Sequence, residues 1–251
     1  MDSPSLRKAA RRGLAEEAAD RVRDAIFAGH FPPGAPLREV ELAASLDVSR
    51  GSVREGLAVL AREGLVRVGW HRPTTVVEVT PADVEEVYSV RAALDRLAVA
   101  TARTRAVAAD LTALDDLVTA LASEVDSGAD GPRLLALDIA FHDRVYAIAA
   151  NTRLTAAWHA VRSQVFLFQL RRVSLSWTHY RAGVVSEHRE LATLLRSGDP
   201  DQLQRVAADH VDSARRRLLA DLKPTAAHNE KPPDESGGFP PSENLSHRTD
   251  R

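Results

Sequence analysis

The stretch from Leu37 to Val66, LREVELAASLDVSRGSVREGLAVLAREGLV, decides the fold. Within it, Glu39–Leu46 reads as a short helix and Asp47-Val48-Ser49 as a tight turn. A second helix is expected over Ser49–Arg62, where Val53, Leu57 and Leu60 fall at i, i+4 and i+7. Upstream, Leu14–Gly29 places Ala15, Ala18, Ala19, Val22 and Ile26 on one apolar face, and the turn Phe31-Pro32-Pro33-Gly34 follows. Downstream, Leu65–Val68 and Thr75–Val79 alternate like strands about a short loop, as in a hairpin. Helix, helix, turn, helix and two-stranded wing is the order of a winged helix-turn-helix. Two helices brace a third, whose exposed N-terminal end enters a DNA major groove.

The side chains on that third helix suit the task. Arg50 and Arg54 lie four residues apart and share a face beside the Val53/Leu57/Leu60 stripe. Arginine grips phosphate and makes bidentate contact with a guanine edge. Ser49 and Ser52 can cap the helix or contact phosphate through hydroxyls and N-terminal amides. The loop His71-Arg72-Pro73-Thr74 sits where a wing touches the DNA backbone or minor groove. Arg38 and Arg62 complete the candidate DNA-contacting set. An isolated Arg pair is most often merely solvated; here the surrounding layout outweighs that reading.

The 251 residues include no Cys and one Met. That excludes a disulfide framework, a Cys-ligated zinc site, an iron–sulfur cluster and a thiol nucleophile. The N-terminal MDSPSLRKAARRG has no apolar core of a secretory signal, and no window of about 18 apolar residues suggests a membrane helix, so a cytoplasmic, nucleoid-associated setting is expected. A net charge of −2 argues at first against a nucleic-acid partner. Its distribution reverses the argument. Arg50, Arg54, Arg62, Arg67 and Arg72 oppose only Glu55 and Glu63 within residues 49–72, a local +3. Residues 81–222 carry 17 basic and 19 acidic groups and mask that patch. Such a chain should bind DNA selectively rather than generally.

Residues 81–222 are Ala/Leu/Val/Arg-rich with helical periodicity, broken at Ser127–Pro132, near Ser174–Thr178 and at Gly198-Asp199-Pro200. Polar groups stand on apolar faces there. Asp138 and His142 lie four apart on a helix expected over Arg133–Ala149, among Leu134, Leu135, Phe141, Val145 and Ala149. His188 shares its face with Val184, Val185, Leu191, Ala192 and Leu195, and His210 with Leu203, Val206, Ala207 and Ala214. Each His alone reads as a hydrogen-bonded core histidine. Four polar groups on three helices, each costly to bury unpartnered, point instead to a shared divalent cation. Zinc is the first expectation, with nickel, manganese and iron left open. Arg91 and Asp95 form a further buried pair on a helix over Ala82–Thr104. They read equally as an internal ion pair or as a site for a carboxylate ligand. Glu187 and Asp143 are expected to point away from the quartet.

The blocks Leu37–Ala43, Leu46–Leu57 and Leu60–Val66, with Ile26-Phe27-Ala28-Gly29 and Phe31–Gly34 upstream, resemble the N-terminal domain of the GntR superfamily of bacterial transcription regulators. The helical half resembles the FCD effector domain of its FadR-like branch, so the likeness spans about 14–221. The resemblance implies that Arg50 and Arg54 read operator DNA. It implies that Asp138, His142, His188 and His210 bind metal, and that Arg91 meets an effector acid with Asp95 holding its geometry. It also matches Asn151 to a helix-junction Asn, read as a cap with an effector contact. Gly51-Ser52 replaces the usual Thr/Ser-Pro, Gly56 replaces Ala, and Trp70-His71-Arg72-Pro73 replaces a glycine wing tip.

The expected fold is mainly α: a winged helix-turn-helix over 14–80, then an all-α antiparallel bundle over 81–222. A flexible basic start (1–13) and a disordered tail (223–251) flank them. The function expected is a non-enzymatic, homodimeric regulator on palindromic double-stranded operator DNA, controlled by a small organic acid at the metal site, with no membrane partner. The alternatives are a metal-dependent enzyme with a DNA-binding appendage and a metal bundle serving only dimerisation.

Overall fold

The computed structural model describes residues 13–69 and 72–222. Expectations for 1–12, Trp70, His71 and 223–251 lie outside the described residues. Helix α1 covers Leu14–Phe27, β1 Pro36–Leu37, α2 Glu39–Leu46 and α3 Arg50–Arg62. Strands β2 (Val66–Arg67) and β3 (Thr74–Val76) follow. Six helices then build the second half: α4 Pro81–Arg105, α5 Ala108–Ser127, α6 Gly131–Ala149, α7 Thr152–Leu175, α8 Trp177–Ser197 and α9 Pro200–Leu222. The fold is a winged helix-turn-helix followed by a helical domain.

Local chemistry sets the boundaries. Ser49 caps α3 by accepting the Ser52 amide at 3.0 Å, and Asp47 makes the left-handed turn between α2 and α3 at φ 52°. Thr80 and Asp83 form a capping box that starts α4 ahead of Pro81. Helix α1 stops at Phe27, two residues before the expected Gly29. Gly29 is left-handed at φ +80°, and His30 N–H returns to the Ala25 carbonyl at 2.9 Å.

The expected hairpin has a third strand. β1 pairs antiparallel with β3 (Pro36 opposite Thr75), and β3 pairs with β2 (Val66 opposite Val76). Two residues are too few to show an alternating pattern. The helix ends expected at Thr104 and Ala149 fall at Arg105 and Ala149, although the breaks at Ala106-Val107 and Ala150-Asn151 contain neither glycine nor proline. Ala150 adopts the left-handed conformation at φ 46°. Arg105 Nη1 donates to the Ala149 and Ala150 carbonyls at 2.7 and 2.9 Å and satisfies the end of α6.

Gly56 explains how α1 and α3 sit so close. A Cβ there would stand 2.8 Å from the Ala15 carbonyl oxygen and 3.0 Å from the Ala19 nitrogen, both backbone atoms. Gly56→Ala is therefore expected to force the helices apart at about 1–3 kcal/mol of overpacking, offset by about 1 kcal/mol of helix propensity. Urea unfolding should show the net loss; an unchanged midpoint would mean that α1 can shift at no cost.

In the second half α4 packs against α6, α7 and α9, and α5 against α6 and α8. Val84, Ala98, Ala102, Leu114, Leu135, Ile139, Leu203 and Leu218 are fully buried among these helices. The winged half rests on α7. Phe27 stacks on Phe166 with centroids 4.0 Å apart, and Ser163 Oγ donates to Glu63 Oε2 at 3.0 Å. Glu63 also receives Arg23.

Candidate metal centre and nucleic-acid interface

On α3 the apolar side (Val53, Leu57, Leu60) is buried, which turns Arg50 and Arg54 to solvent. The 66 % exposed Arg54 side chain is held bidentately by Glu39, through Nε at 3.0 Å and Nη2 at 2.7 Å. Glu39 holds the fork at the surface, and an exposed pair of this kind is readily exchanged for another partner. Ser49 and Ser52 share a hydroxyl hydrogen bond at 2.9 Å beside the free amides of the first turn. Arg38 is exposed and paired with Glu41; Arg62 and Arg72 are exposed.

Inside the helical domain, Asp138, His142, His188 and His210 come together from α6, α8 and α9, and all four are buried. The ligand-capable atoms of the three histidines lie within 4.8 Å of one another. Asp138 Oδ1 is 3.6 Å from His142 Nε2 and 3.6 Å from His188 Nε2. Such separations are too long for hydrogen bonds. They match ligands of one ion, since ligands about 2.1 Å from zinc at tetrahedral angles stand roughly 3.4 Å apart.

The outer nitrogens of the rings decide which atoms face inward. His188 Nδ1 donates to the Val184 carbonyl at 2.7 Å, and His210 Nδ1 donates to Glu187 Oε2 at 3.0 Å. Both leave Nε2 as a bare lone pair in the neutral ring, and both Nε2 atoms, like Asp138 Oδ1, are buried without a partner. His142 Nε2 accepts from Arg91 Nη2 at 2.9 Å, while its Nδ1 faces Asp95 Oδ2 at 3.5 Å. Burial, reinforced by Arg91, pushes the His142 imidazole well below its ordinary value. Burial also lowers His210. Burial alone would raise the Asp138 carboxyl, but His188, His142 and Arg91 hold it well below the carboxylate range. His188 moves up, because Asp138 outweighs its burial. A dication would replace the proton that Asp138 favours there. Three neutral imidazoles and one ionised carboxylate fit a divalent metal.

Arg91 and Asp95 belong to the same cluster: Arg91 Nε is 3.4 Å from Asp95 Oδ2. Tyr146 donates its hydroxyl to Asp95 Oδ1 at 2.6 Å, and Tyr180 donates to Asp138 Oδ2 at 3.1 Å. Asn151 is spent as the cap of α7, accepting from the Arg153 and Leu154 amides, each at 3.2 Å. Asp143 points away, as expected, to Trp158 and Arg162. Glu187 does not: it orients His210 from outside, correcting the expectation that it would lie elsewhere. Tyr146 and Tyr180 went unsingled in the sequence; Tyr146 carried a signal, standing four residues after His142. A cavity of about 10 Å³ adjoins His142 and His210, walled otherwise by Asp95, Tyr146 and apolar side chains of α4, α6, α8 and α9. His210 also borders an open cleft of about 500 Å³ with Glu187, Glu190, Asp209 and Arg216.

Residues 14–76 match the bacterial regulatory proteins of the gntR family, and residues 86–213 match the FCD domain. The chain belongs to the GntR family. This FCD-containing GntR protein is 29% identical over 214 residues to the protein named "Probable D-xylose utilization operon transcriptional repressor" of Paenarthrobacter nicotinovorans, covering 84% of this chain and 91% of that one. It is 27% identical to the HTH-type transcriptional repressor NanR of Klebsiella aerogenes, over 82% of this chain and 86% of that one. E. coli McbR/YncC has the same fold, with a TM-score of 0.73 at 20% identity over 84% of this chain and 99% of that one. A GntR transcriptional regulator of Rhodococcus sp. gives 0.71 at 23% identity over 82% and 97%. The GntR protein is thus a transcriptional regulator and not an enzyme. Among its described residues, no helix is long and apolar enough to cross a membrane.

Proposed function

We propose that this GntR regulator binds a palindromic operator as a homodimer and is controlled by a small organic acid held at a metal centre in its helical domain. Arg50 and Arg54 read bases, while Ser49, Ser52, Arg38, Arg62, Arg72 and the wing His71 contact the DNA backbone. Asp138, His142, His188 and His210 hold one divalent cation, zinc before nickel, manganese or iron. Asp138 Oδ1 and the Nε2 atoms of His188 and His210 converge, buried and otherwise unpartnered, and this observation carries the reading. The bound cation supplies a Lewis-acidic anchor for a carboxylate oxygen. Arg91 supplies the second, charge-assisted grip, and Asp95 keeps Arg91 and His142 in register.

The small cavity favours control over passive storage. Its 10 Å³ holds about one water, so an organic acid must open the surrounding helices to enter. Helix α7 does not line the cavity but packs against α4, α6 and α9, which do, and it carries the Phe166 and Ser163 contacts to the winged half. An acid that prefers the opened arrangement would shift how the two reading heads are presented. The relatives named as repressors support repression as the mode of action.

The same tightness also suits a metal that only stiffens a dimerisation bundle. Gel retardation separates the two: the protein should retard the intergenic DNA beside its own gene at moderate salt, and a short carboxylic acid should weaken the shift. Retardation insensitive to every acid tried favours the dimerisation role. Failure to retard that DNA removes the regulator reading of this site.

A further inference from the structure

Resting on that effector reading, we infer that the effector is a dicarboxylate, with its second carboxylate held by Arg172 and Gln169 on α7. Arg172 is 4% exposed and Gln169 fully buried, three residues apart on one helix face. Arg172 has no ion pair among the described residues, and its Nε has no hydrogen-bond partner. Its guanidinium carbon lies 4.9 Å over the Tyr180 ring, and its charge reaches Glu187 without an ion pair. Gln169 Oε1 accepts the Tyr88 hydroxyl at 3.2 Å, which leaves its Nε2 donors unused. Buried cations and amides left in this state are costly unless a partner of opposite character arrives.

Two shared neighbours tie these donors to the metal cluster. Tyr180 lies between Arg172 and Asp138, stacking on the first and donating to the second. Tyr88 has the Arg91 guanidinium 6.0 Å from its ring and hydrogen-bonds Gln169. Burial pushes the Tyr88 hydroxyl up, and the charges of Arg172 and then Arg91 oppose that push, so both cations act at one place. Arg91 already has Asp95 and Asp138 beside it, whereas Arg172 feels only the charge of Glu187, whose carboxylate is hydrogen-bonded to His210 and makes no ion pair with it. A monocarboxylate anchored beside Arg91 leaves Arg172 and Gln169 unanswered. A second carboxylate at the far end of a short chain answers both, in the planar fork that arginine prefers.

The test is calorimetric titration of the full-length, zinc-loaded protein with dicarboxylates from succinate to adipate and with monocarboxylates of equal length. At least one diacid should bind tenfold or more tightly than its monoacid partner, on the order expected for a charge-assisted bidentate contact. Arg172→Gln should abolish that advantage and leave monoacid affinity and zinc content unchanged. Gln169→Leu, which keeps the Arg172–Tyr180 stack, should reduce it partly and serves if Arg172→Gln does not fold. Monoacids binding as tightly as diacids throughout, or an advantage that survives both substitutions, overturns the dicarboxylate assignment alone. No binding of any acid overturns it together with the effector reading beneath it.

Discussion

Arg54→Ala is expected to weaken operator binding by a factor on the order of 30 to 20,000 while leaving the fold intact. A bidentate arginine–guanine contact contributes about 1–3 kcal/mol of discrimination, and a twofold dimer loses it in both half-sites, about 2–6 kcal/mol in all. Nothing in the folded core compensates or suffers, because Arg54 is exposed and its one partner, Glu39, is at the surface. Fluorescence anisotropy on operator and on scrambled DNA checks the assignment. The loss should be large on operator and small on scrambled DNA, with an unchanged circular dichroism spectrum. Equal losses on both would make Arg54 a phosphate contact, and no loss would remove it from the interface. Arg50→Ala should behave alike, since it occupies the preceding turn of the same exposed face.

His188→Ala is expected to lower metal content from about one ion per chain to none and to lower thermal stability sharply. Its Nε2 is buried without a partner and its ring packs edge-on against Phe141 at 4.8 Å, so the change removes a ligand and opens a cavity. An ion a thousandfold above its dissociation constant stabilises by about 4 kcal/mol. For a chain of this size that is roughly 8–16 °C in Tm. His188→Gln separates the two losses by keeping most of the volume. Chelator should lower the wild-type Tm by a comparable amount and leave either variant unmoved. A wild-type Tm indifferent to chelator contradicts the metal assignment.

Much of this was legible in the chain, for physical reasons. The turn chemistry at Asp47–Ser49 and the i, i+4, i+7 stripe of α3 follow from local rules, and they suffice to expose Arg50 and Arg54. The quartet was legible because polar groups on apolar faces violate the helical pattern, and a pattern violation is visible without coordinates. What stayed hidden depends on tertiary placement. β1 is two residues long. The Ala150 turn uses a residue with no preference for the left-handed region, and Arg105 from another helix satisfies its carbonyls. Glu187 sits at the rim of its helix face, so only the approach of α9 shows that it orients His210. Arg172 and Gln169 sit in α7, where apolar residues occur almost all round and no single face stands out. That Arg172 makes no ion pair among the described residues appears only once α4, α7 and α8 are in place.

The central claim is that a metal-held carboxylate governs DNA binding. The direct measurement is operator affinity by anisotropy for zinc-loaded and for chelator-stripped full-length protein, each with and without a panel of short mono- and dicarboxylates. At least one acid should lower the affinity of the zinc-loaded protein by roughly fivefold or more, an ordinary coupling between two sites, and should leave the stripped protein unaffected. An equal response in both forms, or no response of the zinc-loaded form to any acid, would contradict the account.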